Sequence, residues 1–345
     1  MTRALITGCT GCLGSNLAAA LLNHGVEVIG VCLKGDSRIT LEGLDMTIVE
    51  GDILHPDGFS SLMKGVDWVF HVAGIADDWN HHPARVYRTN VVGTCNVLEA
   101  ALRARVRRVV LTASGAVLGT PQKGHASMDE ECIFNLHPRD WIYGHSKVLA
   151  ESVMMDYVQQ GLDAVCVLPT ALMGPGDQHF ITGTMIQRTL KEQVMPFPNG
   201  GANVIDVRDA AEGHIAAAER GATGARYILG GHNLTHRQIV EAVARVLSLP
   251  VHYLKFPRWA LPIAAEAIGF LHRLGIHLPI DRGRVYLSGM FMYYDNRKAV
   301  RELGLSIRPF EDTIRDAYEW YVRHGLLEPV NGNAMKKSTL NGKQP

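Results

Sequence analysis

The hydrophobic positions in the first half of the chain follow two alternating periods. Short apolar runs typical of strands lie at Ala4–Thr7, Val26–Leu33, Met46–Val49, Trp68–Val72, Arg108–Thr112 and Ala164–Leu168. Longer stretches with helical spacing lie between them, including Leu13–Asn23, Ala84–Ala104 and Asp140–Gln160. This alternation predicts a parallel sheet that is covered by helices on both faces.

After about Pro169 the regular alternation stops, and glycine and proline become frequent. We therefore predict a Rossmann-type, doubly wound α/β domain over 1–170 and a smaller, mostly C-terminal substrate lobe over 171–328. The two are interleaved, because Val204–Val207 and Arg226–Leu229 are expected to return to a sheet. The polar segment 331–345 predicts a disordered tail.

The charge balance narrows the possible partners. Lys plus Arg (34) equals Asp plus Glu (34), so electrostatics gives no case for nucleic acid or an anionic membrane. The apolar stretch Trp259–Leu271 contains Pro262 and Glu266 and is too short to span a bilayer, so it predicts a packed helix. The six scattered cysteines, and a strand close to the first residue instead of a signal peptide, favour a reducing cytoplasm.

A glycine-rich loop follows the first predicted strand. Its glycines have the spacing G-x-x-G-x-x-G at a strand-to-helix junction, which is the context that a dinucleotide-binding motif requires. A helix beginning near Cys12 would offer free N–H groups to phosphates. A redox pair formed by Cys9 and Cys12 is the alternative, but the loop explains both positions better. The predicted cofactor-binding residues here are Gly8, Thr10, Gly11, Cys12, Leu13 and Gly14.

The end of the second strand selects between the two nicotinamide cofactors. An acidic residue there would bind the ribose 2′-OH of NAD, and a basic one would accommodate the 2′-phosphate of NADP. The strand ends at Leu33 without an acid and Lys34 follows directly, so we favour NADP(H) over NAD(H). The alternative interpretation is that Lys34 and Arg38 are solvated loop charges.

The ends of the next two strands complete the predicted cofactor site. Asp52 could accept a hydrogen bond from the adenine amino group, and Ile53 could cover the ring. The small residues Ala73 and Gly74 would let the cofactor lie across the strand ends, where open α/β sheets bind ligands.

Tyr143 and Lys147 have a spacing of four, so on a helix they share a face. A free tyrosine has a pKa of about 10, and lowering it by about three units requires roughly 4 kcal/mol. An ammonium at about 4 Å supplies energy of that order at an effective dielectric near 20. Tyr294 and Lys298 have the same spacing, but we expect that pair to arise by chance.

Context favours Tyr143 and Lys147. The strand before their helix ends at Thr112 and continues to Ser114, which places a hydroxyl at the carboxyl end of the sheet. We predict that Ser114 polarises a substrate carbonyl, Tyr143 transfers the proton, and Lys147 tunes Tyr143 and holds the cofactor ribose.

These motifs together resemble the extended short-chain dehydrogenase/reductase superfamily. The segment Ala225–Thr235 is similar to its dihydroflavonol-4-reductase-like branch, which includes proteins called hopanoid-associated sugar epimerases. The resemblance implies that Pro169 and Thr170 lie near the nicotinamide amide and that Asn90 fixes local backbone. It also implies a homodimer through the helices at Ala84–Ala104 and Asp140–Gln160.

Two departures from the family pattern bear on the substrate. Nucleotide-sugar members tend to have an asparagine after the sixth strand and an arginine before the returning strand, whereas this chain has Thr170-Ala171 and Asn203. We therefore favour reduction of a carbonyl on a fairly apolar small molecule, or the reverse oxidation. The alternatives are an NAD-dependent sugar epimerase or dehydratase and a non-catalytic NADP-sensing protein.

The walls of the substrate site are harder to predict. Phe180, Phe197, Trp259 and Phe291 are candidate apolar walls, and Trp79 could touch the substrate. His81 and His82 lie beside Asp77 and Asp78, but the chemistry needs no metal, so no metal site is predicted.

Overall fold

The computed structural model describes residues 1–76, 82–122, 126–191, 194–250, 252–257, 259–274, 276 and 282–330. The strands are β1 (Arg3–Thr7), β2 (Glu27–Cys32), β3 (Thr47–Glu50), β4 (Trp68–His71), β5 (Arg108–Thr112), β6 (Ala164–Pro169), β7 (Ala171–Met173), β8 (Val194–Pro198), β9 (Gly201–Asp206), β10 (Arg226–Leu229), β11 (His232–Thr235), β12 (His252–Phe256) and β13 (Phe291–Met292). The α-helices are α1 (Cys12–Asn23), α2 (Pro83–Tyr87), α3 (Gly93–Ala104), α4 (Ile142–Gln159), α5 (Thr184–Lys191), α6 (Val207–Arg220), α7 (His236–Val246), α8 (Ala260–Arg273), α9 (Arg282–Ser288), α10 (Arg297–Leu303) and α11 (Phe310–Arg323).

The main sheet is parallel, with the order β10-β6-β5-β4-β1-β2-β3. The strand order reverses between β1 and β4, so a crevice opens at their carboxyl ends. The predicted Rossmann-type α/β fold is confirmed. Central strands such as β6 are buried along their whole length, which explains their continuous apolar sequence.

Two hydrophobic cores lie on opposite faces of this sheet. Helices α1 and α6 cover one face, and Leu17 and Ala211 are fully buried there. Helices α3 and α4 cover the other, where Leu98 and Met154 are fully buried. The helix α6 and the strand β10 come from the second half of the chain, so both halves contribute to this sheet and its helical layers. The division into lobes at residue 170 stays a prediction.

A second, smaller sheet is built around β9, which pairs with β7, β11 and β13. The predicted returning strand Val204–Val207 therefore joins this second sheet, and Val207 already begins α6, where Asp206 caps the helix by accepting from Arg208 N. Helices α5, α7 and α11 pack around Ile186, Val243 and Ile314 in a third core.

The predicted helix Ala84–Ala104 is divided by a π-helical stretch at Arg88–Val92. Such widened turns are often found at functional sites. Here the stretch contains Asn90, which is buried. In the chain as described, no helix combines the length and the apolar character needed to cross a membrane.

Candidate active site

The glycine-rich loop makes close backbone contacts with its neighbours. Gly8 has φ +72°, and a Cβ there would lie 2.8 Å from Cα of Ala73. A Cβ on Gly14 would lie 2.2 Å from the Gly8 carbonyl oxygen, so α1 can approach β1 only because this residue is glycine. Gly11 caps α1 from an extended conformation, and its nearest neighbour would be 3.4 Å from a Cβ. The loop therefore leaves the N-terminus of α1 open to a phosphate.

The preference for NADP(H) was predicted from a basic residue, Lys34, facing the cofactor at the end of β2, and the structure has a different arrangement there. Lys34 is exposed and lies outside the cleft lining, whereas Asp36 is part of it. The Asp36 carboxylate accepts from Thr10 Oγ1 at 2.9 Å and from Leu33 N at 3.2 Å. Arg38 pairs with Glu50 at 3.3 Å, away from the lining. Sequence reasoning missed Asp36 because this acid follows the strand tip by several residues.

Asp52 and Ile53 line the cleft beyond β3. One Asp52 oxygen accepts from Leu54 N at 2.9 Å, which fixes the turn. The Ile53 side chain packs against Gly93, where a Cβ would lie only 2.5 Å from Ile53 Cδ1. The widened helical turn before α3 ends at Gly93. Because Gly93 has no side chain, Ile53 has space to pack beside the cleft.

A chain of hydrogen bonds fixes the end of β4. Thr7 Oγ1 accepts from Ala73 N at 3.2 Å and bonds His71 Nδ1 at 2.8 Å. His71 Nε2 bonds Thr94 Oγ1 at 3.0 Å. The Thr94 hydroxyl proton goes to the Asn90 carbonyl at 2.6 Å, so His71 must donate from Nε2. Burial, followed by the charge of Lys147, lowers the pKa of His71 to about 3, which keeps this imidazole neutral.

Asn90 fixes the backbone of Ile75 through its side chain and does not line the cleft. Its side-chain oxygen accepts from Ile75 N at 2.8 Å, and its amide donates to Ile75 O and Ser146 Oγ. A Cβ on Gly74 would lie 3.1 Å from the Asn90 oxygen and 3.2 Å from Lys147 Nζ. The small residue at Gly74 therefore keeps the strand end close to the lysine.

The three predicted reacting residues lie together at the ends of β5 and α4. Ser114 begins the 3₁₀ helix Gly115–Leu118 and accepts from Ala116 N at 3.2 Å. Tyr143 lies in the first turn of α4, and Lys147 follows one turn later. Lys147 is 7% exposed, and its Nζ donates to the Thr112 carbonyl at 3.0 Å.

The pKa values of Tyr143 and Lys147 differ from those expected if the Lys147 charge alone acted on Tyr143. Burial raises the pKa of Tyr143, and a hydrogen bond with Ser114 acts in the opposite direction. Burial also lowers the pKa of Lys147 to about 8. The predicted lowering of the Tyr143 pKa by Lys147 is not found, and the loss of water is the largest influence on both groups. Tyr143 keeps its proton near neutrality, which is the form needed to donate it.

These residues line one cleft of about 1020 Å³. It brings together all the predicted site residues except Lys34 and Asn90. Thr112 contributes its carbonyl to Lys147, but its hydroxyl bonds the buried His214 at 3.0 Å. The lining also fits a nicotinamide dinucleotide, because the glycine loop would hold the phosphates and Ala73–Gly74 leaves a smooth floor across the strand ends.

The far end of the cleft is formed by residues that sequence reasoning did not select. Leu172, Ile181 and Met292 line it, together with Tyr294. Lys298 lies elsewhere, with Nζ 4.9 Å from the ring centre of Tyr227, so Tyr294 and Lys298 form no catalytic pair. No local pattern marks Tyr294 as a site residue, since only the pairing of distant segments brings it to the cleft.

The predicted aromatic walls are wrong for the side chains that the structure describes. Phe180 stacks on Tyr321 with 4.5 Å between ring centres, and Phe291 packs edge-on against Tyr293. Trp259 is 73% exposed. None of these three residues is part of the cleft lining. The Phe197 side chain and Trp79 lie outside the described part of the chain.

No metal site is formed by the described His, Cys, Asp and Glu side chains. His82 is exposed, while Asp77, Asp78 and His81 lie outside the described residues. Cys9 is fully buried, and burial raises the pKa of its thiol to about 12, which makes it a poor redox nucleophile.

Comparison with known proteins gives a family of nicotinamide-dependent enzymes, in agreement with a dinucleotide-binding cleft. The model of the NAD dependent epimerase/dehydratase family matches residues 4–230. The chain belongs to this family. It is 34% identical to a putative dihydroflavonol 4-reductase of Synechocystis, over 94% of this chain and 95% of that protein. It is 30% identical to cinnamoyl-CoA reductase 2 of Arabidopsis thaliana, over 74% and 78% of the two chains.

Solved structures have the same fold. The crystal structure of gox2253 has a TM-score of 0.82 and 31% identity, covering 95% of this chain and 100% of that one. DesIV, a dTDP-glucose 4,6-dehydratase from Streptomyces venezuelae with NAD bound, has a TM-score of 0.75 at 22% identity and covers 95% and 99%. This family of enzymes uses NAD(P) for reduction, epimerisation and dehydration, and this chain is an oxidoreductase-type member.

Proposed function

We propose that this protein is an NAD(P)H-dependent reductase that converts a carbonyl of a fairly apolar small molecule to an alcohol, and that it catalyses the reverse oxidation. The observation that carries the proposal is the convergence of Ser114, Tyr143 and Lys147 on the cofactor cleft. Tyr143 retains its proton because burial raises its pKa. A reductase needs the tyrosine in this protonated form.

The roles of the three residues follow from their positions. A nicotinamide cofactor held by the glycine loop and Ala73–Gly74 would supply the hydride for the carbonyl carbon. Ser114 and Tyr143 hydrogen-bond the carbonyl oxygen, and Tyr143 gives its proton to the developing alkoxide. Lys147 stabilises the resulting phenolate and would hold the cofactor ribose. Lys147 loses its charge as pH rises through about 8, so the rate of reduction is expected to fall above that pH.

The substrate end of the cleft favours a reductase over a nucleotide-sugar enzyme. Asn203 stands where nucleotide-sugar relatives tend to have an arginine, and it is 1% exposed. Its oxygen accepts from Thr170 Oγ1 and Gly231 N, and its amide donates to Gly231 O and Asn233 Oδ1. All its hydrogen-bonding capacity is used within the protein, so none remains for a diphosphate.

The charges around the cleft support the same choice. Apart from Lys147, the only arginine or lysine in its described lining is Arg85. A diphosphate is normally held by several cations or N–H groups. The similarity to proteins called dihydroflavonol 4-reductase and cinnamoyl-CoA reductase also favours a carbonyl substrate.

The preference for NADP(H) predicted from Lys34 is part of this proposal, and Asp36 opposes it. Asp36 in the lining would repel a 2′-phosphate, whereas the exposed Lys34, whose neighbours Leu33 and Gly35 line the cleft, would attract it. We expect Lys34→Ala to raise the Kd of NADPH about threefold to tenfold and to leave that of NADH unchanged. Asp36→Asn should lower the Kd of NADPH. If Lys34→Ala changed the Kd of NADPH and NADH equally, Lys34 would not select between the two cofactors.

A cytoplasmic location and a homodimer stay predictions.

The test of the proposed function is the absorbance of NADPH, and separately NADH, with ketones, aldehydes and nucleotide sugars. Carbonyl-dependent loss of absorbance that Tyr143→Phe abolishes is the expected result. Retention of bound cofactor during conversion of a nucleotide sugar, with no net consumption, would favour the epimerase instead. Binding of NADPH without turnover of any substrate would favour the sensing protein.

A further inference from the structure

The helix α8 is apolar on both its inner and its outer side. The inner side packs against α9, and Leu261, Ala265 and Val285 are buried there. The outer side carries Ile263 and Phe270, whose side chains are 62% and 55% exposed. A surface helix of a soluble protein normally has polar residues on the side that faces water. The outer side of α8 lacks this polar covering.

Exposed apolar side chains are concentrated around this helix. Fifteen large apolar side chains are exposed in the part of the chain that the structure describes, and seven of them lie within residues 254–286. Single exposed apolar residues are normal, but a concentration of this kind marks a surface that interacts with a partner. We define the α8 face as the six of these side chains that lie on or next to α8 and α9, namely Trp259, Ile263, Phe270, Leu274, Ile276 and Tyr286.

The exposed residues of α8 form one stripe along the helix. At about 100° per residue, Ile263, Phe270 and Leu274 fall within roughly 40° of one another around the helix axis. Trp259 directly precedes the helix and is 73% exposed. Glu266 is exposed at the edge of the stripe. A narrow apolar stripe with aromatic residues and a charged edge is typical of helices that lie in the plane of a membrane surface.

Charge indicates which partner fits the α8 face. The whole chain has equal numbers of basic and acidic residues, but residues 254–286 contain five arginines and lysines and only two acids. Two copies of this segment would repel each other across a dimer interface, whereas anionic lipid headgroups would attract it. Trp259 and Tyr286 are of the residue types that are enriched at the boundary between water and lipid. Charge and composition therefore favour a bilayer over a second copy of the chain.

The α8 face is connected to the substrate end of the cleft by a short stretch of chain. Helix α9 ends at Ser288, and Met292, four residues later, lines the cleft. Leu261 of α8 packs on this connection, since a Cβ on Gly289 would clash with its side chain. An apolar substrate partitions into lipid, so a bilayer in contact with this segment would be a source of substrate for the cleft.

We propose that the α8 face is a peripheral contact with a bilayer that contains anionic lipids. The apolar stripe enters the boundary of the acyl chains, and the Glu266 carboxylate at its edge stays among the headgroups, so the insertion is shallow. This contact is a surface interaction and needs no helix that crosses the membrane. It is also independent of the reductase chemistry, so the two proposals are tested separately.

The test is sedimentation of the full-length protein with large unilamellar vesicles. The vesicles consist of phosphatidylcholine alone or of phosphatidylcholine and phosphatidylglycerol. We expect binding to the anionic vesicles, and binding about 10-fold weaker or less to the neutral vesicles or in high salt. The double variant Ile263→Ser and Phe270→Ser should lower the partition coefficient for the anionic vesicles about 10-fold or more, because two apolar side chains are removed from the contact.

Two controls separate membrane contact from folding. Ile133→Ser with Val300→Ser also removes two exposed apolar side chains, 70% and 46% exposed, from outside residues 254–286, and this variant should bind like the wild type. Both double variants should keep the wild-type Tm, since all four positions are exposed. In vesicles of brominated lipid, tryptophan fluorescence should be quenched, and Trp259→Phe should remove most of this quenching.

Four results would overturn the proposal. They are no binding to the anionic vesicles, equal binding to neutral and anionic vesicles, an equal loss of binding in the two double variants, and a dimer in analytical ultracentrifugation that only the Ile263→Ser and Phe270→Ser variant dissociates. The last result would assign the α8 face to a second copy of the chain. None of them changes the reduction of a water-soluble carbonyl compound without vesicles, so the failure of this proposal and of the proposed function are distinguishable.

Discussion

The two halves of the cleft are built in different ways. The cofactor half consists of strand ends of the main sheet, and it depends on how closely backbone can approach at Gly8, Gly14 and Gly74. The substrate half is held by side-chain hydrogen bonds that pass from Asn203 to Asn233 and on to the backbone of Tyr294. The cofactor half is thus sensitive to added volume, and the substrate half to the loss of polar partners. This difference can be tested one residue at a time.

The largest effect is expected in the cofactor half from Gly14→Ala. The added Cβ would lie 2.2 Å from the Gly8 carbonyl oxygen, and backbone at this junction cannot move without separating α1 from β1. We expect loss of measurable NAD(P)H binding by fluorescence titration and a decrease in the free energy of unfolding of about 3 kcal/mol or more. Gly58→Ala is the matched control, since its nearest contact would be 3.8 Å away. Equal behaviour of the two variants would contradict the packing argument.

The next largest effect concerns Lys147, at the junction of the two halves. Its pKa is lowered to about 8, so keeping it charged near neutrality opposes folding. Lys147→Met should lower kcat by about 100-fold or more. It should also raise the free energy of unfolding at pH 7 by about 1–3 kcal/mol, because a buried charge is removed. Denaturant titration measures this gain. A less stable Lys147→Met variant would mean that the bond to Thr112 O outweighs the cost of burial.

A smaller and selective effect is expected in the substrate half. Asn203→Ala removes four hydrogen bonds that hold Thr170, Gly231 and Asn233. We expect KM for a carbonyl substrate to rise about 10-fold, while the Kd of the cofactor changes less than about threefold. Asn135→Ala removes three bonds to Thr120 outside the cleft lining and is the control. A cofactor Kd that rises as much as KM would show that the halves are not separable.

The smallest expected effect is a decrease in the free energy of unfolding as the pH falls below about 6.5. The pKa of His71 is lowered to about 3 and that of His214 to about 4, in both cases mainly by burial, from an ordinary value of 6.5. The unfolded chain therefore binds protons between about pH 6.5 and these values while the folded chain does not. The free energy of unfolding should fall by about 1–2 kcal/mol from pH 6.5 to 5.5. His214→Gln should make the decrease shallower, and an unchanged slope would contradict this cause.

The sequence predicts the cofactor half of the cleft better than the substrate half, because the two halves are built differently. The glycine loop, Asp52–Ile53 and the set of Ser114, Tyr143 and Lys147 are local patterns at strand ends, and all of them line the cleft. Tyr294 is brought to Ser114 by contacts between distant segments, namely a bridge with Met128, the bonds of Asn233 and the pairing of β13 with β9. Such contacts between distant segments leave no periodicity or spacing to detect. Lys34 and Asp36 show a further limit, because loop conformation decides which of two neighbouring charges faces the cleft.

The π-helical stretch at Arg88–Val92 could not be predicted either. The apolar spacing from Ala84 to Ala104 indicates one continuous helix. The widened turn forms where the Asn90 side chain is drawn into bonds with Ile75 and Ser146. The competing tertiary contacts determine the local geometry here.

The most direct test of the reductase account follows the hydride itself. The protein is incubated with a reducible carbonyl compound and with NADPH or NADH carrying deuterium on the transferable position of C4, and the product is analysed by mass spectrometry and NMR. The account predicts one deuterium on the former carbonyl carbon per cofactor oxidised, and no transfer by Tyr143→Phe. Deuterium that stays with a retained cofactor while a sugar is epimerised would contradict it.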